Sequence, residues 1–110
     1  MEVNQLIVCK FGGTSVQDAA SIRNCIEILL ENPQRRVALV SATAGSTDLL
    51  SEACMAAQQG HNDKCLTYVT KFVARHMQLA QELEVFGEVS SQLNSLGEEL
   101  QTLLQVVLML

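Results

Sequence analysis

Leu6-Ile7-Val8-Cys9-Lys10-Phe11-Gly12-Gly13-Thr14-Ser15 is the stretch on which the reading of this chain turns. Leu6, Ile7, Val8 and Cys9 form an unbroken apolar run. That is the pattern of a strand buried on both faces, and such strands belong to parallel sheets covered by helices. Lys10 falls at the carboxyl end of this strand, with a glycine pair and two hydroxyl residues close behind. In open α/β sheets the ligand crevice lies outside the carboxyl ends of the strands, where the turn leads into a helix whose N-terminal N–H groups and dipole attract anions. Gly12 and Gly13 allow close approach of a bound group and positive φ without a Cβ clash. Lys10 adds a mobile point charge. The stretch reads as a phosphate cradle, and it is not a Walker A loop, because the lysine precedes the glycines.

Working outward, the order of elements is strand, helix, strand, helix, then a long helical region. Ala19, Ile22, Ile26, Leu29 and Leu30 recur at helical spacing and make one apolar stripe, which Asn32 and Pro33 end. Val37, Ala38, Leu39 and Val40 form a second short apolar run. A βαβ unit of this size makes the two strands parallel neighbours ending at the same edge. Arg35 and Arg36 read as solvated charges at the approach to the second strand.

The second strand leads into Ser41-Ala42-Thr43-Ala44-Gly45-Ser46-Thr47-Asp48, a loop with no bulky side chain. Thr47 or Asp48 is expected to N-cap a helix carrying Leu49, Leu50, Ala53 and Ala57, with Gly60 as its stop. Cys65, Tyr68, Val69, Phe72, Val73, His76, Leu79 and Leu83 then line one helical face. After a break near Phe86 and Gly87, Val89, Leu93, Leu96, Leu100, Leu103, Leu104 and Val107 continue the spacing. Two long helices with a short connection are expected to form an antiparallel hairpin. The ending Leu108-Met109-Leu110 has no polar cap, so the sequence is expected to be cut from something longer.

At 110 residues the chain is one domain or part of one. Its 48% hydrophobic and 17% charged content fits a folded protein. With 7 basic and 12 acidic residues the net charge is -5, and no basic stripe with interleaved aromatics is present, which argues against nucleic acid as a partner. There is no basic region ahead of the first apolar run and no stretch long enough to span a bilayer, so the expectation is a cytoplasmic protein without membrane contact. Cys9, Cys25, Cys54 and Cys65 show neither Cys-x-x-Cys pairs nor zinc-ligand spacing with His. They read as reduced, buried small hydrophobes, and no metal site is expected. His61, in a loop, and His76, on an apolar helical face, read as structural.

KFGGTSV at residues 10–16, followed after the second strand by VSATAGSTDLL at residues 40–50, closely resembles the N-terminal region of aspartate kinases, members of the amino acid kinase superfamily. The resemblance implies a parallel-sheet, three-layer αβα sandwich of the amino acid kinase type, with residues 1–110 forming an incomplete N-terminal part that includes the helical hairpin. It also implies transfer of the γ-phosphoryl of ATP, with Mg2+, to the side-chain carboxylate of L-aspartate. The product would be 4-phospho-L-aspartate, the first step towards lysine, threonine and methionine. In those terms Lys10, Phe11, Gly12, Gly13, Thr14 and Ser15 correspond to the ATP phosphate-binding segment, with Lys10 the catalytic charge. Ser41, Ala42 and Thr47 correspond to the aspartate-binding loop. The acidic residue that meets the substrate amine, the later active-site residues and the adenine segment are not among these residues. A full-length form is expected to be a homo-oligomer.

Three functions stay open on the sequence. One is an aspartate kinase, one is another amino acid kinase with a different acceptor, and one is a non-catalytic interaction module. The bland reading of each motif also stays open: a solvated strand-end lysine at Lys10, an ordinary tight turn at Gly12 and Gly13, and a simple N-cap at Thr47.

Overall fold

The computed structural model describes residues 5–110. They fall into two compact units, the first ending at Ala44 and the second running from Gly45 to Leu110. Together they make a mixed α/β chain with a two-stranded parallel sheet and four α-helices among the described residues.

The first unit runs through β1 (Ile7–Phe11), a 3-10 turn (Gly13–Val16), α1 (Ala19–Leu30) and β2 (Arg35–Val40). The strands pair in parallel, with Val8 opposite Val37, Cys9 opposite Ala38, Lys10 opposite Leu39 and Phe11 opposite Val40. At the amino end Ile7 stands opposite Arg35, so the register shifts by one residue between Ile7 and Val8 and Arg36 is the extra residue. The Asp18 carboxylate starts α1 by accepting from the Ser21 N–H at 2.8 Å. The turn into β2 is set by Asn32, whose side chain accepts from the Gln34 N–H at 2.9 Å and whose carbonyl accepts from Arg35 N–H at 3.0 Å. Arg35 is not merely solvated. Its guanidinium donates to the Ile28 carbonyl at the end of α1 and pairs with Glu31 at 3.3 Å, so it satisfies a helix C-terminus.

Phe11, Val16 and Cys25 form the core of this unit, with Cys9, Ile22 and Leu29 packed against it. Cys25 takes the place predicted for Ile26, which is exposed like Leu30. The expectation that β1 is buried on both faces is not met. Val8 is 52% and Leu39 57% exposed, and β2 is exposed from Arg36 onward. Within this unit the one α-helix packs on the Cys9 and Phe11 side, so Val8 and Lys10 on the alternate side of the pleat stay open.

The second unit is three helices: α2 (Ser46–Gln58), α3 (Asn62–Glu82) and α4 (Phe86–Met109). Ala53, Ala56 and Ala57 of α2, Cys65 and Val69 of α3 and Leu104 of α4 make its core. Alanines at the centre let the backbones approach closely. Gly60, at φ 74, closes α2 with a two-bond reverse turn: its N–H donates to Ala57 C=O at 3.1 Å and His61 N–H donates to Ala56 C=O at 2.8 Å. The predicted stop is therefore where the sequence put it.

The predicted break near Phe86 and Gly87 lies earlier. α3 ends in the same two-bond motif, with Glu84 N–H on Gln81 C=O at 3.1 Å and Val85 N–H on Ala80 C=O at 2.9 Å, and Glu84 takes the left-handed position at φ 62. Phe86 and Gly87 belong to the first turn of α4. The hairpin itself forms as expected and runs antiparallel, with Cys65 and Leu104 sharing the core near one end and Val73 meeting Gly97 nearer the other. The apolar stripe of α4 is wider than its partners cover, leaving Leu96 and Leu103 exposed. No helix among the described residues is long and apolar enough to cross a membrane.

Candidate functional site

Parallel pairing brings the two marked segments of the first unit to one edge. Lys10 and Phe11 end β1 beside Leu39 and Val40, and the Ser41 N–H donates to the Phe11 carbonyl at 3.1 Å, extending the ladder by one bond. Lys10, Gly12, Gly13 and Thr14 therefore lie beside Ser41 and Ala42, all exposed, with Ser15 half-buried. Among the described residues Lys10 makes no hydrogen bond or ion pair. Its ammonium is free to meet an anion. Phe11 differs from its neighbours, because its ring is 8% exposed in the core and only its backbone faces the edge.

The glycine pair does not serve the backbone as predicted. Gly12 is extended at φ -75, ψ 178, and the positive-φ glycines among the described residues are Gly45 and Gly60. A Cβ built on Gly12 or Gly13 would meet nothing within 4 Å. Neither local conformation nor packing among the described residues requires glycine here, and the backbone is left open to approach. The helix following the strand also departs from expectation. The 3-10 turn intervenes, Gly12 gives it no side-chain cap, and the N-terminus of α1 is already occupied by the Asp18 carboxylate. A second anion would be repelled there.

Thr47 sits in the second unit and is not an N-cap. Gly45 holds that position at φ 77 with no side-chain cap bond, and its carbonyl accepts from Leu49 N–H at 3.0 Å. Ser46 is buried, while Thr47 and Asp48 are exposed in the first turn of α2. Asp48 is the anion that the helix dipole favours at this end. The Thr47 hydroxyl is thus not consumed by capping. Gly45 is the residue that sequence reasoning passed over, and its signal was present: a lone glycine just before a helix fits a left-handed entry that Ser, Thr or Asp would strain.

The other chemistry-bearing residues separate cleanly. All four cysteines are free thiols; Cys25 and Cys65 are buried, Cys9 is half-buried and, against expectation, Cys54 is exposed on α2. The Cys25 thiol donates to Ser15 C=O at 3.1 Å, tying α1 to the 3-10 turn. Burial, and then the neighbouring Cys54, push the Cys65 thiol above the ordinary thiol range. His76 has Nδ1 2.8 Å from Phe72 C=O and its ring tilted against the Phe72 ring at 4.7 Å, a structural setting. His61 is the exposed residue that leads into α3. Among the described residues no three of His, Cys, Asp and Glu gather to hold a metal. The roomier grooves lie elsewhere: one of about 290 Å³ between α3 and α4 around Val73 and Gly97, another of about 330 Å³ at the amino end of the strands around Leu6, Gln34 and Arg36. The strand edge itself presents an ammonium and exposed backbone on an open surface, without enclosure.

Comparison with known proteins follows the same line. The profile of the amino acid kinase family matches residues 5–108. The chain is 35% identical over 118 residues to an aspartokinase of Chlamydia trachomatis, covering 89% of this chain and 26% of that protein. It is 30% identical over 97 residues to the chloroplastic bifunctional aspartokinase/homoserine dehydrogenase 2 of Arabidopsis thaliana, covering 87% of this chain and 10% of that protein. Against the putative inactive aspartokinase 3 of Haemophilus influenzae it is 33% identical over 75 residues, covering 66% of this chain and 62% of that protein. The chain thus spans about a quarter of the first of these relatives and a tenth of the second. No solved structure gives a significant match.

Proposed function

The chain belongs to the amino acid kinase family, and from that premise we propose that it carries the phosphate-holding and substrate-holding segments of an aspartate kinase. The reaction is transfer of the γ-phosphoryl group of MgATP to the side-chain carboxylate of L-aspartate, giving 4-phospho-L-aspartate. Phosphoryl transfer asks little covalent chemistry of a protein; it asks for positioning and for positive charge where negative charge builds up. Lys10 supplies that charge. Gly12 and Gly13, with nothing where a Cβ would stand, let the backbone come close to the phosphates, and Thr14 and Ser15 continue the segment, the Ser15 N–H being held by the Gly12 carbonyl at 3.0 Å. Ser41 and Thr47 offer hydroxyls, and Ala42 its amide, to the aspartate carboxylates. Magnesium accompanying the nucleotide would supply charge neutralisation at the phosphates.

The observation that carries this reading is the ladder bond from Ser41 N–H to Phe11 C=O. It puts the lysine-glycine segment and the start of the small-residue loop side by side at the carboxyl edge of a parallel pair, where open α/β sheets bind ligands. The complete three-layer sandwich, homo-oligomeric assembly and a cytoplasmic location belong to the same proposal. The groups that meet the substrate amine and the adenine are expected from other parts of the kinase.

Replacing the matching segment of the Chlamydia trachomatis aspartokinase by these residues tests it. A folded chimera should turn over ATP in an aspartate-dependent manner, and Lys10→Ala should abolish that turnover. A folded chimera whose rate ignores Lys10→Ala would overturn the assignment. A second reading, a non-catalytic member, is favoured by the similarity to the Haemophilus influenzae protein described as inactive. It predicts a folded chimera without turnover, and 31P NMR of ATP with the 110-residue chain showing no shift.

A further inference from the structure

We propose that Cys54 and Cys65 are a reversible redox pair that closes a disulfide across the α2–α3 connection. The two residues stand about one helical turn on either side of that connection, whose shape is fixed by the Gly60 and His61 backbone bonds to Ala57 and Ala56. Cys65 packs in the core with Ala53, Ala56 and Ala57, the residues that flank Cys54 along α2. Cys54 is exposed and open to a reagent, whereas Cys65 is 4% exposed and shielded from one. The charge repulsion that Cys54 exerts on the Cys65 thiolate is a further sign of their proximity.

The asymmetry fixes the order of events. With a disulfide oxidant such as oxidised glutathione, the Cys54 thiolate attacks one glutathione sulfur. A mixed disulfide forms and one glutathione thiolate leaves and takes up a proton. The Cys65 thiolate, its proton lost to solvent, then attacks Cys54 Sγ and expels the second glutathione thiolate. Two protein thiols are oxidised and one glutathione disulfide is reduced to two thiols. Burial raises the proton affinity of Cys65, so this second step should quicken as pH rises. Once closed, the bond ties α2 to α3 independently of their packing.

The sequence makes the test direct, because trypsin cleavage after Lys10, Arg23, Arg35, Arg36, Lys64 and Lys71 leaves each of the four cysteines in a different peptide. The native chain is incubated with oxidised glutathione, quenched with acid, digested without reductant and mapped by mass spectrometry. The expected product is a monomer with residues 37–64 joined to residues 65–71, absent from Cys54→Ser. Cys54 stopping as a stable glutathione adduct overturns the proposal, as does a Cys54 to Cys54 dimer or a link involving Cys9 or Cys25. A Cys65→Ser chain that still folds should accumulate the Cys54 adduct, which separates a resolving thiol from a bystander.

Discussion

Gly97 of α4 lies directly against Val73 of α3: a Cβ placed on Gly97 would stand 2.8 Å from Val73 Cγ2. The two helices cross where one of them has no side chain. Glycine inside a 24-residue helix costs about 1 kcal/mol relative to alanine on propensity alone, so close packing must return at least as much. Val73 is β-branched and stiff at χ1, and it cannot swing its methyl aside cheaply.

Gly97→Ala is therefore expected to destabilise the chain despite its better helix propensity. Overpacking of this kind costs about 1–3 kcal/mol, which leaves a net loss of up to about 2 kcal/mol after the propensity gain. Urea unfolding of the single variants and of Gly97→Ala with Val73→Ala checks it. The pair should be non-additive, with the valine truncation relieving the clash; additive losses would mean that the helices do not touch there.

At the end of α3 the expected change has the opposite sign. Glu84 occupies a left-handed conformation at φ 62 inside a motif that glycine normally completes. Glu84→Gly should stabilise by roughly 1 kcal/mol, seen as a higher urea midpoint with unchanged slope. Gln78→Gly, inside the helix, should destabilise by a similar amount.

Gly12→Ala separates fold from function. A methyl group there meets nothing within 4 Å, so stability should stay within about 0.5 kcal/mol of the parent. Nucleotide binding, read by 31P NMR or by the rate of a chimeric kinase, should fall at least tenfold because the methyl occupies the approach to the phosphates. Lys10→Ala should cost at least about 3 kcal/mol of transition-state stabilisation, roughly a hundredfold in rate. Circular dichroism of both variants should match the parent.

Thr47→Val tests the loop. Because Gly45 and not Thr47 is the N-cap, removing the hydroxyl should not cost the roughly 1 kcal/mol of a lost cap. The KM for aspartate in a chimeric kinase should rise more than the KM for ATP, as one hydrogen bond to a charged group is worth about 1.5–3 kcal/mol. Equal changes in both constants would remove Thr47 from the substrate loop.

Cys65 gives the chain a pH dependence of defined sign. Its thiol pKa is raised by burial and then by Cys54, so above the ordinary thiol pKa of about 8.5 the folded state holds more protons than the unfolded one. Stability from this group is fully present below that pH and is lost as pH rises through the folded-state pKa. Urea midpoints at pH 7 and pH 10 should therefore differ less in Cys65→Ala than in the parent. Equal differences would show that other groups carry the alkaline loss.

How much of this was legible in the sequence depended on whether a residue announces its conformation. Gly60 marked the end of α2 because the left-handed position there favours glycine. Glu84 performs the same backbone role without any such mark, so the sequence points to a break near Phe86 and Gly87, which are helical. The apolar run Leu6 to Cys9 was read as doubly buried, yet an uninterrupted run does not reveal how many faces are covered. The strand in fact ends on Lys10 and Phe11, which point to opposite sides. The neighbouring ends of β1 and β2 followed from the βαβ spacing and the strand lengths. The extended backbone of Gly12 and the carboxylate cap at Asp18 did not, because several residue types satisfy each geometry equally well.

The register shift at the amino end of the strand pair has a practical side. Arg36 is already a surplus residue between Arg35 and Val37, and beyond it every pairing to Phe11 and Val40 is regular. A residue inserted or deleted at Arg36 would enlarge or erase that irregularity without sliding Lys10 along Leu39. Arg36 is consequently a permissive position for grafting a tag or a fluorophore-bearing loop, at the far end of the strands from the groups proposed to meet phosphate.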